Sequence, residues 1–329
     1  MLEFGVVHGK AFIHNIYRIY KQYLYVLYLI GDLKKMPTNP DQNKIEPYTI
    51  LEKQQLNPQT KKLNIYAPDI AEKAKAGQFV IIKVHINSER IPLTLSNWDK
   101  ENGTITVIFQ EVGFSTNELG SLQVGEKIRN LAGPLGNPSE IKNYGNAAVV
   151  CGGVGTAVAY PVAKALKEAG NKVTTIMGAR NKDLFILEDE VRTVSDEVYI
   201  STDDGSKGQK GFVSDILKTL IVKDSKFDIV FAIGPPIMMS VIAEVTRPFG
   251  IKTIVSLNPI MVDGMGMCGA CRVSIGEKTQ FACVDGPEFD AHQVNFKELM
   301  QRLKSYTTEE KYTSQFNQKL GGKCTCHNH

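Results

Sequence analysis

The sequence predicts a small antiparallel β-barrel, then an α/β module with a parallel sheet, then a short segment rich in glycine and cysteine. Three observations predict it. Before Leu131, short runs of alternating apolar and polar residues recur between turn residues with almost no helical period. From Ala147 onward, short apolar runs mostly alternate with helical stretches, the pattern of a parallel sheet with helices on its faces. After Val255 that rhythm stops, and Cys268, Cys271 and Cys283 follow among closely spaced glycines.

Barrel strands are expected at 48–53, 61–67, 79–86, 104–110 and 127–131, with Arg90 to Ser96 on another. Asn57-Pro58, Ala76-Gly77, Asn102-Gly103 and Gly133-Pro134 supply the breaks. A short helix is expected at 116–122. The α/β module should hold strands at 147–151, 172–177, 197–202, 228–233 and 252–255, and helices at 157–169, 211–221 and 236–246. The implied divisions are an N-terminal extension (1–44), the barrel (45–143), the α/β domain (144–257), the cysteine segment (258–294) and a C-terminal helix and tail (295–329).

With 329 residues, 43% hydrophobic and 22% charged, the chain has ordinary globular composition and is too long for one compact core. Of its 38 basic and 35 acidic residues, Lys10, Arg18, Lys21, Lys34, Lys35, Glu3 and Asp32 fall in the first 35, leaving 33 of each sign beyond. A neutral body lacks the electrostatic footprint of nucleic-acid binding. Six cysteines are too few for a secreted disulfide scaffold, and their clustering points to metal ligation in a reducing, cytoplasmic compartment. The apolar run from Tyr23 to Ile30 is eight residues, well short of the roughly 20 of a membrane span, so no stable span is expected. Residues 1–35 read as a targeting leader, an interfacial helix, or upstream translation before a start at Met36. The last is preferred because a domain-like pattern begins soon after.

Asp263-x4-Cys268-x2-Cys271, with Cys283 eleven residues on, has the spacing of a plant-type iron–sulfur motif with aspartate at its first position. Gly264, Gly266 and Gly269 let the backbone wrap closely and turn its N–H groups toward sulfide. A zinc site is the competing reading, although zinc ribbons supply two Cys-x-x-Cys knuckles and only one is present. Asp263 reads either as fourth ligand or as a turn residue. Gly152-Gly153-Val154-Gly155 joins a buried strand to a helix beginning near Thr156, where exposed N–H groups suit a phosphate. Gly234-Pro235-Pro236 makes a second such crossing, and together the two favour a nucleotide site over tight turns. Arg90 offers a guanidinium for a diphosphate, and Thr94, beyond Pro92 and Leu93, a hydroxyl for a flavin edge; an amphipathic strand with an exposed arginine is the alternative. Gly113, Ser115 and Thr116 open a helix as phosphate donors or as ordinary caps. Asp203 and Asp204 form a turn whose carboxylates suit a ribose, while Arg180 and Lys182 suit a nucleotide phosphate or solvent.

In this order, these segments resemble the flavin and iron–sulfur subunits typified by the dihydroorotate dehydrogenase electron-transfer subunit. The resemblance is closer still to the small subunits of NADH-dependent reduced ferredoxin:NADP oxidoreductases, also described as sulfide dehydrogenase subunits. It covers about residues 45–300. It implies an FAD-binding barrel, an NAD(H)-binding α/β domain and a C-terminal [2Fe–2S] segment. By that resemblance the segment from Arg90 through Pro92, Leu93 and Thr94, with Gly113, Ser115 and Thr116, contacts FAD. Gly152, Gly153, Gly155, Thr156 and Gly234 lie along the NAD(H) and flavin phosphates. Asp263, Cys268, Cys271 and Cys283 hold the cluster. Dihydroorotate-linked relatives carry cysteine where this chain has Asp263, which favours the ferredoxin:NADP type.

The expected function is conversion of two-electron into one-electron transfer, from NADH through FAD and the cluster to a larger flavin and [4Fe–4S] subunit that exchanges electrons with ferredoxin. Hydride transfer needs no general base, so no catalytic side chain is assigned. An electron-transfer subunit of dihydroorotate dehydrogenase is the alternative, and a zinc-binding interaction module the alternative of another class.

Overall fold

The computed structural model describes residues 45–223, 226–310 and 312. The N-terminal extension and the Cys324, Cys326, His327 and His329 tail lie outside them. The architecture below belongs to the compact unit that begins at Pro47.

Six strands form the first sheet: β1 (Ile50–Asn57), β2 (Thr60–Tyr66), β3 (Phe79–Lys83), β4 (Ile91–Asp99), β5 (Thr104–Gln110) and β6 (Asn130–Leu135). Their order is β1-β2-β5-β4-β3-β6, every pairing antiparallel. Alternation decides which face is inside: Leu63 and Ile65 of β2 and Ile105 and Val107 of β5 are fully buried, while Lys62 and Asn64 turn outward. Each such side chain contributes about 1.5–3 kcal/mol on burial. Backbone bonds between the start of β1 and 125–128 draw the two edges together, as a barrel requires. Helices α1 (Pro68–Ala71) and α2 (Phe114–Ser121) lie between strands. Strand β3 stops at Lys83, earlier than the alternation suggests, and Arg90 stands one residue before β4 rather than on it.

The second sheet takes β7 (Asn146–Gly152), β8 (Lys172–Ala179), β9 (Glu197–Thr202), β10 (Gln209–Lys210), β11 (Ile229–Ile233), β12 (Lys252–Ser256) and β15 (Glu288–Asp290). Its order is β10-β9-β8-β7-β11-β12-β15, parallel throughout except for β15. Ala147 to Cys151 and Ile229 to Val230 are 0% exposed, because helices cover both faces. Those helices are α3 (Thr156–Glu168), α4 (Glu188–Thr193), α5 (Val213–Val222) and α6 (Pro236–Thr246). Helix α4 went unforeseen because six residues carry too little period to register. The order reverses between β7 and β11, so a crevice opens at their carboxyl ends.

Beyond β12 the chain makes the cysteine loop and a hairpin, β13 (Arg272–Ile275) with β14 (Lys278–Phe281), before β15 returns to the sheet and α7 (Phe296–Arg302) closes the segment. The cysteine segment thus lends the α/β sheet its one antiparallel strand.

Candidate functional site

A cavity of about 1100 Å³ lies where the barrel meets the carboxyl ends of β7, β8, β9, β11 and β12. Pro92, Leu93, Thr94 and Phe79 wall it from the barrel, and Thr116 reaches it from α2. Gly152, Gly153, Val154 and Gly155 line it below β7, and Gly234 with Pro235 below β11. The loops approach so closely that side chains are excluded. A Cβ on Gly155 would sit 2.5 Å from the Ile233 carbonyl oxygen, and one on Gly152 2.8 Å from the Met238 sulfur. The two helix starts then differ in chemistry. Gly153, Val154 and Gly155 carry N–H groups ahead of α3, whose first residue Thr156 turns its own N–H to the Gly153 and Val154 carbonyls, whereas Pro235 and Pro236 at the start of α6 have none to offer. An anion is therefore served at the β7 loop, and the β11 loop presents an apolar face.

Of the other site residues predicted from the sequence, Thr116, Arg180 and Asp203 line the cavity, while Arg90, Gly113, Ser115, Thr156 and Asp204 fall around it. Arg90 is exposed. The buried Ser115 donates its hydroxyl to Glu89 Oε2 at 2.6 Å. Thr116 Oγ1 accepts the Gly113 N–H at 3.1 Å, the capping role that competes with phosphate contact. Thr156 Oγ1 donates to the Gly153 carbonyl at 2.9 Å, which stiffens the glycine loop. Asp204 is exposed, and its Oδ1 accepts the Ser206 N–H at 2.9 Å; bonds from Ser206 hold its carboxyl below the usual range. Its neighbour Asp203 lines the cavity together with Arg180. The sequence reading passed over Asn258, Pro259, Met261 and Pro287, which also line it. Pro259 and Met261 stand directly before the cysteine motif, a proximity that already hinted at a shared site.

Met261 lines the cavity and Asp263 opens the cysteine loop, so their Cα atoms are at most about 7 Å apart along the chain. The loop then turns onto the barrel. Gly264 has φ +75°, and a Cβ there would meet Ile81 and Leu135 side-chain atoms at 2.8 Å. Ile81 pairs with Pro92, a cavity residue, across β3 and β4.

Within the loop both oxygens of Asp263 are occupied. Oδ1 accepts the Met265 N–H at 2.9 Å; Oδ2 accepts those of Met267 at 3.1 Å and Cys268 at 2.6 Å. These bonds, Met265's foremost, hold the carboxyl below its ordinary range. Cys271 and Cys283 are buried with sulfurs 3.2 Å apart, and Cys268 is exposed at the same turn. Burial, and then the Cys271 neighbour, push the Cys283 thiol up to about 12. Both thiols are free, so ligation would release a proton from each. Among the described residues no three His, Cys, Asp or Glu side chains converge on a single point. A two-iron centre would divide four such ligands between its metals. The donor set fits one: soft thiols beside glycines at positive φ (264, 266 and 269), which free the backbone to fold around a cluster.

A barrel and a parallel sheet enclosing one crevice, with paired thiols in the segment that follows the crevice wall at Met261, define an electron-transferring oxidoreductase of ferredoxin reductase-like fold. Comparison with known proteins makes this specific. Residues 149–244 match the oxidoreductase NAD-binding domain, and residues 258–295 the iron–sulfur cluster binding domain of dihydroorotate dehydrogenase B. The chain is 49% identical over 259 residues to a Thermotoga maritima homolog of the dihydroorotate dehydrogenase B electron transfer subunit, covering 79% of this chain and 91% of that one. It is 32% identical to the subunit from Fusobacterium nucleatum, over 77% and 100% of the two chains. A chain from the structure of the NADH-dependent reduced ferredoxin-NADP oxidoreductase superposes with TM-score 0.79 at 46% identity, over 82% of this chain and 98% of that one. A cytochrome P450 reductase from Amycolatopsis shares the fold alone, with TM-score 0.54 at 19% identity. The chain belongs to the family of dihydroorotate dehydrogenase B-type electron transfer subunits, with an NAD-binding domain and an iron–sulfur cluster binding domain. The zinc-module alternative lapses with that assignment. Among the described residues no helix is long and apolar enough to cross a membrane.

Proposed function

We propose that this chain is the NADH-oxidising subunit of a heteromeric ferredoxin:NADP oxidoreductase and feeds single electrons to a larger partner subunit. When bound, nicotinamide and flavin supply hydride transfer, and flavin and cluster supply one-electron steps. The chain's own residues bind and orient. The β7 glycine loop and the start of α3 take a dinucleotide phosphate, and Asp203 and Arg180 face its ribose end. The apolar walls, Phe79, Pro92 and Met261 among them, exclude water. Cys268, Cys271 and Cys283, with Asp263 as the fourth ligand, would hold a [2Fe–2S] cluster. Arg90, Ser115 and Thr116 are assigned to FAD. The single observation that carries the reading is the passage from cavity wall at Met261 to cysteine loop at Asp263, which puts both redox sites within a few residues of one another.

Exposed Met265 and Met267, beside Val262 and Val284, make an apolar patch around the loop; Met267 is 84% exposed. A patch at the electron exit suits a partner of this kind. Anaerobic titration of the complex with NADH, followed by EPR, should develop a one-electron iron–sulfur signal, and a larger flavin and [4Fe–4S] chain should copurify. A sample with neither acid-labile sulfide nor flavin would sink the proposal. The second reading, a dihydroorotate dehydrogenase electron-transfer subunit, is favoured by the 49% identity to that type of homolog. Copurification with a dihydroorotate-oxidising chain would establish it instead.

A further inference from the structure

Helix α7, which follows β15, has no part in the function above, yet it reaches the cysteine loop. We propose that Arg302, on its last turn, is a positioning residue for the iron–sulfur centre that raises the potential at which the centre accepts an electron. The inference rests on the cluster assignment of the preceding section.

The helix is fixed at both ends. Asn295 caps its start, accepting the Glu298 N–H at 3.1 Å, and Glu298 in turn accepts the Ser274 hydroxyl at 2.5 Å. Phe296 and Leu299 are buried in the same apolar cluster as Cys271, Val273 and Cys283. Arg302 follows on the last turn. Its Nη2 donates to the Ala270 carbonyl at 3.0 Å, across 32 residues of sequence. Arg272 Nη1 donates to the preceding carbonyl, Gly269, at 3.2 Å, and the next, Cys271, accepts the Ala282 N–H at 3.1 Å. Three consecutive carbonyls of the Cys-x-x-Cys turn are thus tied from outside.

A trans peptide plane turns its N–H opposite its carbonyl. Pinning the Ala270 carbonyl therefore fixes the Cys271 N–H on the side away from the guanidinium. Hydrogen bonds to sulfur and net charge around a cluster are the protein's chief means of setting its potential. Arg302 supplies both, an oriented peptide and a permanent positive charge. It is half-buried, so solvent screens that charge less than it screens the exposed Arg272. Asp263 and Asp285 supply nearby negative charge, and Asp285 is itself engaged by the Phe281 N–H at 2.7 Å.

The test uses anaerobically prepared full-length protein in its complex, with Arg302→Gln, Arg302→Lys and, as a remote control, Arg247→Gln. Arg247 bonds the His292 carbonyl at 3.3 Å and Glu244, neither of them in the cysteine loop. Iron and acid-labile sulfide are assayed, and reduction is followed by EPR in a dye-mediated potential titration. Arg302→Gln should keep its iron and sulfide. At the wild-type midpoint its ratio of reduced to oxidised cluster should fall about tenfold, equal to about 59 mV for a one-electron couple. Arg302→Lys should recover most of that shift, and Arg247→Gln should show none. A full cluster with an unmoved midpoint in Arg302→Gln would overturn the proposal. So would loss of iron from both Arg302 variants, because the residue would then be a structural clasp only. Wild-type protein without iron and sulfide would instead break the underlying assignment, which keeps the two failures apart.

Discussion

The cavity wall and the cysteine loop adjoin along the chain, yet they are built on opposite principles. The cavity is made of backbone and apolar side chains drawn from barrel and sheet, and its glycines matter for the side chains they lack. The loop is made of a few chemically singular side chains close together in the chain, tied by hydrogen bonds to their own backbone. One difference follows from the other. A dinucleotide is held by shape and many weak contacts, so its site is spread out. A cluster is held by a few metal–ligand bonds, so its site is local and each ligand counts.

Predictions that break or sharpen this contrast run from large to small. Cys271→Ser should abolish the cluster, with iron and labile sulfide falling to background while flavin stays bound; retention of both iron and sulfide would show the ligand set to be wrong. Gly155→Val should cost about 2–3 kcal/mol of stability by overpacking against the Ile233 carbonyl, and should weaken NADH binding while the cluster content holds. Thermal unfolding and NADH titration read the two effects. Arg90→Ala should weaken FAD retention about tenfold, the scale of one charge-assisted hydrogen bond, as equilibrium dialysis would show. Unchanged flavin occupancy would remove Arg90 from the site.

The smallest effect belongs to a group outside both sites. Burial pushes the Glu288 carboxyl up to about 7 from an ordinary 4.5, although the Ser139 hydroxyl, 2.6 Å away, opposes that shift. Between those values the folded chain holds a proton that the unfolded chain has lost, so this group's contribution falls as pH rises from 4.5 to 7 and is level above. Glu288→Gln should remove that decline and raise stability at pH 8 relative to the parent. Equal pH dependence in variant and parent, measured by denaturant unfolding, would contradict it.

Much of the fold was legible because its signals are periodic and local. Leu63, Ile65, Ile105 and Val107 alternate as barrel strands must, and the run from Ala147 to Cys151 can be buried on both faces only in a covered sheet. Arg90 was placed on a strand because Ile91 to Ser96 alternates; the structure starts β4 just after it. Among the site residues, Thr94 and the glycine loops do line the cavity, while Ser115 and Asp204 face other partners. Asp203, not Asp204, reaches the cavity, a choice that a one-residue rotation of a turn decides.

By itself the sequence determined which chemistry the chain carries, because ligand spacing, glycine loops and apolar period are written in consecutive residues. Only the tertiary structure decided how the two sites meet. The contact of Gly264 with Ile81 and Leu135, and the reach of Arg302 to Ala270, join residues far apart in the chain. No local pattern encodes such contacts, because they arise when buried surfaces from separate elements settle against one another.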